Sequence, residues 1–226
     1  MYYLIIFGFA SLFLVGCESG VLVNESFDYP DGPLSAYFWS EGNIGVIHNH
    51  RLYINADTSG ESASTVWLDR VLQGDMSIEF DVYLLSSEDD ANNINVFFMC
   101  SDPSGKPLRA TAAERENGLY KNYHKLNGFI ITNVTNGNST YIRYRFRRDP
   151  GFGLLGQYLL PRRKRRKGKI HIKLIKRGDY FEYRENNQKV FSMQNDNLTL
   201  WYNKGYFGFR TWHTSMEIDN LIIKKI

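Results

Sequence analysis

The segment "TYIRYRFRRD", residues 140–149, places Arg143, Arg145 and Arg147 two residues apart. On an extended strand such residues share one face, while Ile142, Tyr144 and Phe146 share the other. A row of three guanidinium groups faces open water, pairs with carboxylates on a neighbouring strand, or lines a surface built for an anion. The planar guanidinium fork matches the oxygens of a carboxylate or sulfate. Uronates and sulfated sugars are therefore the chemistry such a row would serve.

A second cluster lies in "YKNYHKLNGF", which offers Tyr120, Tyr123, His124 and Lys125 ahead of a predicted strand. β-Elimination at a uronate needs a base for the proton α to the carboxylate and an acid for the leaving oxygen. It also needs cationic or amide groups to hold the carboxylate as negative charge develops. Tyr123 and His124 are the candidate proton carriers, and Asn95 with the arginine row would hold the carboxylate. Adjacent strand residues point to opposite faces, so both can reach one groove only if the segment is irregular. A structural tyrosine beside a surface histidine is the alternative. Near the C-terminus, "RTWHTS" sets Arg210, Trp212 and His213 beside a turn. Trp212 reads as a sugar platform or as one more core tryptophan. His48 and His50 share a turn without further ligands nearby, so neither a metal nor another cofactor is expected.

Charge is distributed unevenly. Residues 143–184 hold 15 Lys or Arg against Asp149, Asp179 and Glu182, a net of +12, whereas the remainder carries a net of −9. Such a split points to a polyanion-facing region. The densest part, "RRKRRKGK" (162–169), reads by default as a solvated loop, with contact to polyanions or anionic lipid as the alternative.

The compartment follows from the first 17 residues. "MYYLIIFGFASLFLVGC" is uncharged, apolar and short for a membrane span, and it ends in small residues before a cysteine. It resembles a bacterial lipobox. That resemblance implies a signal peptide over 1–16, a lipidated Cys17 opening a tether over 17–21, and one domain over 22–226. The expected protein is exported and anchored to the cell envelope through Cys17, at the outer membrane or cell surface. Nucleic acid is not an expected partner there; an acidic polysaccharide is. Cys100, the remaining cysteine, lies in the apolar run "NVFFMC" and reads as a buried thiol.

Short β-rich runs separated by Gly, Asn, Asp and Pro argue for an all-β chain, an antiparallel two-sheet β-sandwich or jelly roll. "INVFFMCSD" reads as a central strand buried on both faces. Asn136-Gly137-Asn138 and Glu185-Asn186-Asn187-Gln188 read as turns. "GFGLLGQYLLPRRKRRKGK" is expected to be one long loop.

The ends of the chain carry a family likeness. "ESFDY…FWSEGNIGVIHNHRLYI" and "GYFGFR…MEIDNLIIKKI" resemble the opening and closing segments of concanavalin-A-like lectin and glucanase jelly rolls. "INVFFMCSDP", "YKNYHKLNGF" and "NGNSTYIRYRFRRDP" resemble an uncharacterised bacterial family found in polysaccharide-utilisation clusters, including pectin and rhamnogalacturonan systems. The resemblance implies a two-sheet jelly roll with a concave face that receives a glycan. Taken with the residues above, the expectation is a protein that binds and cleaves an acidic polysaccharide as a lyase, with a non-catalytic glycan-binding lipoprotein or a structural envelope protein as the alternatives. Retaining glucanases of this fold carry two glutamates flanking an aspartate on one strand. "EFDVYL", with Glu79 and Asp81, and "EIDNLI", with Glu217 and Asp219, both lack the second glutamate. No nucleophile elbow, phosphate-binding glycine loop or cysteine-based zinc motif occurs.

Overall fold

In β12 (Lys169–Arg177) the buried positions are Ile170, Ile172, Leu174 and Lys176, every second residue. A strand with one inward apolar side suits a two-layer sandwich, and the same alternation recurs through most of the molecule. The computed structural model describes residues 20–56, 63–87, 93–135, 140–161, 168–194 and 202–226. The expected signal segment, Cys17, the turn at 136–138 and the basic run over 162–167 lie outside the described residues.

A back sheet runs in the order β14 (Gln188–Gln194), β13 (Tyr180–Glu185), β12, β7 (Met76–Ser87), β16 (Thr214–Lys225), β4 (Arg51–Asn55), β3 (Ile44–His48), with β1 (Val21–Glu25) on β16. A front sheet runs β11 (Gly153–Pro161), β10 (Tyr141–Asp149), β9 (Asn127–Val134), β8 (Asn93–Ser101), β15 (Lys204–Trp212), β5 (Ala63–Leu68), β2 (Phe38–Gly42), with β6 (Leu72–Gln73) on β15. The fold is thus the antiparallel two-sheet sandwich that the strand pattern implies. β8 is buried along almost its whole length, as its nearly continuous apolar run implies. Between the sheets the core is strongly aromatic: Phe80 meets Phe209 edge-on at 4.9 Å, and Phe146 stacks on Phe181 at 4.6 Å. Cys100 sits buried, and burial pushes its thiol pKa up.

One expectation fails. Residues 153–161 are not loop but the edge strand β11, paired to β10 with Arg143 opposite Leu159 and Arg145 opposite Gln157. An edge strand has no partner on its far side and needs no two-faced alternation. Leu154 and Leu159 are accordingly exposed, and the period-two signal is lost.

The front sheet carries a second, smaller core on its outer face. Residues 102–126 form a flap containing a 3-10 turn (Leu108–Arg115) and one helical turn, α1 (Tyr120–Tyr123). Leu108, Tyr123 and Leu126 of the flap pack on Trp39, Trp67, Phe97 and Ile130 of the sheet. Trp67 stacks on Phe97 at 5.0 Å, and Phe97 on Tyr123 at 4.9 Å. Gly208 lies between Phe97 and Trp67 in the ladder, and a Cβ there would stand 2.6 Å from the Trp67 ring. Only glycine lets that indole lie flat.

A buried ion pair fastens the flap. Arg115 donates from Nη2 to Glu41 Oε1 at 2.9 Å, with both side chains almost wholly enclosed. Glu41 also accepts from the indole nitrogens of Trp39 (3.2 Å) and Trp67 (3.0 Å). Arg115 reaches Leu108 O and Thr111 Oγ1 as well. Removing one member leaves the other charge buried without a counter-ion. Arg115→Met or Glu41→Gln will therefore cost about 3–5 kcal/mol, read as a lowered midpoint in equilibrium urea unfolding.

Candidate functional site

Register across the front sheet determines what the arginines meet. Paired residues share a face, and the pairing runs Arg145–Thr132–Asn95–Arg210–Thr65–Glu41 through β10, β9, β8, β15, β5 and β2. This is one polar row on the outer face. One step along the strands lies the aromatic row Arg147–Ile130–Phe97–Gly208–Trp67–Trp39, which the flap covers. The step in the other direction gives Arg143, Val134 and Asn93. At the boundary between the flap and the rest of the face lies a cavity of about 350 Å³. That volume lies within the range of small-ligand sites.

Arg143, Arg145, Arg147 and Arg210 all line this cavity, joined by Asn95 and Trp212. Six of the nine binding and catalytic candidates named from sequence therefore converge. No carboxylate lines it among the described residues. The arginines are held by neutral groups instead. Arg145 Nε donates to Gln157 Oε1 at 2.8 Å, and Arg147 Nη1 to Phe152 O at 2.9 Å. Arg210, 2% exposed, donates from Nη2 to Gly118 O at 3.2 Å, with its guanidinium carbon 4.2 Å from the Tyr120 ring centroid. Burial pulls the pKa of Arg210 down, and burial followed by Arg143 and Arg147 does the same for Arg145. Both remain cations, since guanidinium does not deprotonate in proteins.

The lining concentrates unsatisfied polar atoms. Among the described residues ten buried side-chain polar atoms lack a hydrogen-bond partner, and five of them belong to residues of this cavity: Asn93 Oδ1, Asn95 Oδ1, Tyr120 OH, Arg143 Nε and Arg210 Nε. Buried polar groups are paired almost everywhere in folded proteins, so such clustering needs a cause.

The remaining candidates are placed elsewhere. Tyr123 is fully buried between Trp67 and Phe97 and does not line the cavity, which removes it as a proton carrier at this surface. The segment is a helical turn rather than a strand start, so Tyr120 takes the position at the cavity wall. His124 also stays off the lining: its ring stacks on Phe152 at 4.1 Å and meets Tyr120 edge-on at 4.8 Å. Burial, then Arg210 and Arg147, lowers the His124 pKa and keeps it neutral. His213 lies in the β15–β16 turn, packed on Trp212 with ring centroids 3.9 Å apart. Trp212 itself is 39% exposed at the rim and is no core tryptophan. His48 and His50 go to different carboxylates, Glu217 and Asp28.

Sequence reasoning missed Asn93, Thr132, Val134 and Phe152, and left Tyr120 outside the candidate set. Asn93 was findable, because it stands two residues before Asn95 on the same strand face. Thr132 and Val134 enter only through strand register. Phe152 enters through the turn after Pro150, where its φ of 58° is a left-handed conformation unusual for a bulky residue. Of the described basic residues that follow the arginine row, several are paired on the back sheet. Lys169, Lys173, Lys176 and Arg184 pair with Asp81, Glu79, Asp75 and Glu182.

This architecture defines the class: a galectin-like, concanavalin-like jelly roll with a cationic cavity on the outer face of one sheet. Residues 58–221 match the family described as "Domain of unknown function (DUF6250)", and the chain belongs to that family. No curated protein sequence matches it. Among solved structures, a protein of unknown function with a galectin-like fold from Bacillus subtilis superposes with a TM-score of 0.75 at 17% identity, covering 91% of this chain and 96% of that one. The carbohydrate binding module CBM66 from Bacillus subtilis gives 0.57 at 13%, covering 87% and 100%. A prokaryotic β-1,3-1,4-glucanase (lichenase) derived from a mouse hindgut metagenome gives 0.58 at 10%, covering 90% and 98%. At these identities the likeness is one of fold.

Phe152 is held under the cavity wall by Asp149, whose Oδ1 accepts from the Phe152 amide at 2.7 Å. Burial pushes the Asp149 pKa up to about 6, against the smaller opposing effects of that hydrogen bond and of Arg147. The folded protein thus binds this proton more tightly than the unfolded chain. The resulting stability is full below the unfolded pKa and falls as pH rises through about 6. Asp149→Asn keeps an oxygen acceptor and removes the titration. In thermal melts the wild type will lose Tm relative to this variant between about pH 4 and about pH 7.

Proposed function

We propose that the cavity binds an acidic, uronate-containing or sulfated glycan, and that the protein presents it from the cell envelope, exported and lipid-anchored through Cys17. The observation that carries this reading is the set of four arginines around unsatisfied Asn and Tyr atoms, with no carboxylate among the described lining residues. Carboxylate or sulfate oxygens would supply the missing counter-charge, sugar hydroxyls would serve Asn93, Asn95 and Tyr120, and the exposed ring of Trp212 offers a stacking platform for the apolar face of a sugar. Carbohydrate-binding modules and a glucanase share the fold, which suits the reading without specifying the ligand. The protein would act as a surface receptor in a polysaccharide utilisation system.

The test is affinity electrophoresis and calorimetry on pectic, alginate, glycosaminoglycan and neutral polysaccharides. Acidic polymers are expected to retard the protein and neutral ones to leave it unmoved. Arg145→Ala, whose side chain projects from mid-row, will weaken binding by about tenfold or more at low salt, with a smaller difference at high salt. Equal retention on neutral and acidic gels would end the proposal.

A lyase is the second reading, and it rests on Tyr120. Among the described lining residues Tyr120 carries the one titratable group other than an arginine. In β-elimination it would take the proton α to the carboxylate as phenolate. The C–O bond to the neighbouring unit then breaks, a C=C bond forms, and the proton passes to the leaving oxygen. Burial raises the Tyr120 pKa, opposed chiefly by Arg210; an ion pair to a bound carboxylate would not reverse that. Elimination is therefore expected only at alkaline pH, seen as rising absorbance of the unsaturated product and abolished by Tyr120→Phe. A flat trace on every uronate polymer leaves the receptor.

A further inference from the structure

The cavity does not end at Arg210. A second cavity of about 280 Å³ adjoins it, and the two share Tyr120, Arg210 and Trp212 as common walls. Among the described residues, those that belong to the second lobe alone are Ala63, Leu119 and Lys121. The two lobes differ sharply in chemistry. Three arginines belong to the first alone. In the second, two aliphatic side chains accompany one exposed lysine at the rim. Arg210, at the junction, spends one guanidinium nitrogen on Gly118 O and rests its plane on Tyr120.

We infer that the groove holds two successive sugar units of opposite character: an acidic unit over the arginine row and an uncharged one against Leu119, Ala63 and the Trp212 ring. The ligand class is then an acidic–neutral repeat rather than a homopolymer of uronates. This rests on the anionic-glycan reading and adds a register to it. The linkage between the units lies over Tyr120 and Arg210, the residues common to both lobes. A second anionic unit would lose its hydration against an aliphatic wall with one mobile ammonium as compensation. An uncharged unit meets an aromatic ring and apolar side chains there.

Titration with three probes tests this: free glucuronate, an aldobiouronic acid (a uronate linked to a neutral hexose), and digalacturonate. The aldobiouronic acid is expected to bind about tenfold tighter than free glucuronate, the worth of one added stacking contact. It should also outbind digalacturonate. Lys121→Trp fills the second lobe from an exposed position where folding is not at stake. It should remove the gain of the aldobiouronic acid and leave free glucuronate unchanged, and Leu119→Trp should do the same from the floor. Equal affinity for glucuronate and the aldobiouronic acid overturns the second subsite. Tighter binding of digalacturonate overturns its neutral character. Failure of all three probes overturns the anion reading beneath it, a result distinct from either.

Discussion

The buried pair of Glu41 and Arg115 is the constraint on which the site depends. A flap made of a 3-10 turn and a four-residue helix has too few internal hydrogen bonds to hold its own shape. Its position comes from the sheet, where one carboxylate gathers Arg115 and two indole N–H groups. The chain then runs through Gly118, where a Cβ would fall 2.7 Å from Ala63 O and 2.9 Å from the Gly42 Cα. Two positive-φ glycines, 42 and 118, let two backbones pass that closely. From there Gly118 O is carried to Arg210 and Tyr120 to the cavity wall. Without the pair, the flap would rest on the sheet chiefly through Leu108, Tyr123 and Leu126.

What the flap creates is an energetically unusual environment for cations. Arg210 is enclosed with a carbonyl and a π-face as neighbours, and a cation–π contact of this kind returns only about 1–2 kcal/mol. Arg145 stands between Arg143 and Arg147 on its own strand, Cα atoms roughly 6.6 Å apart. Repulsion among them and desolvation both work against folding. A chain keeps such an arrangement where something besides stability is served, and the unpaired acceptors of Asn93 and Asn95 beside it fit the same account.

Local pattern made part of this visible in the sequence. The sandwich followed from period-two alternation, and the face of the arginines from their spacing within one strand. Asn95, Arg210 and Trp212 were singled out by residue type, and their meeting with the arginines depends on β8, β9 and β15 lying side by side. That adjacency joins residues 95, 132, 145 and 210, which no local signal links. The assignment of Tyr123 failed because a helical turn was read as the approach to a strand. In a turn, Tyr120 and Tyr123 sit about one rotation apart, and the packing of Trp67 and Phe97 decided which of them went inward. β11 was missed because its glycines and exposed leucines are permitted at an edge and forbidden in the middle of a sheet.

The two outer faces of the sandwich supply a control for the arginine row. The back sheet is also dense with charge, but there the charges are matched. His171 Nδ1 lies 2.9 Å from Asp81 and Lys173 Nζ 2.7 Å from Glu79, while Arg51 meets Glu217 at 2.8 Å and rests on the Tyr83 ring at 3.9 Å. Those carboxylates are the ones that an incomplete glucanase-like pattern would have offered for catalysis, and their partners hold them as structural cross-strand pairs. Asp81, bonded by His171, Asn220 and Lys169, has its pKa lowered against its own burial. The same chain thus pairs Lys and Arg with Asp and Glu on one face, whereas on the other no carboxylate is among the described residues that line the cavity with the four arginines. Cross-strand carboxylates are available to this fold and are used on the back sheet; none occurs among the described residues lining the front cavity, and an anion arriving from solution would supply the counter-charge that this lining lacks.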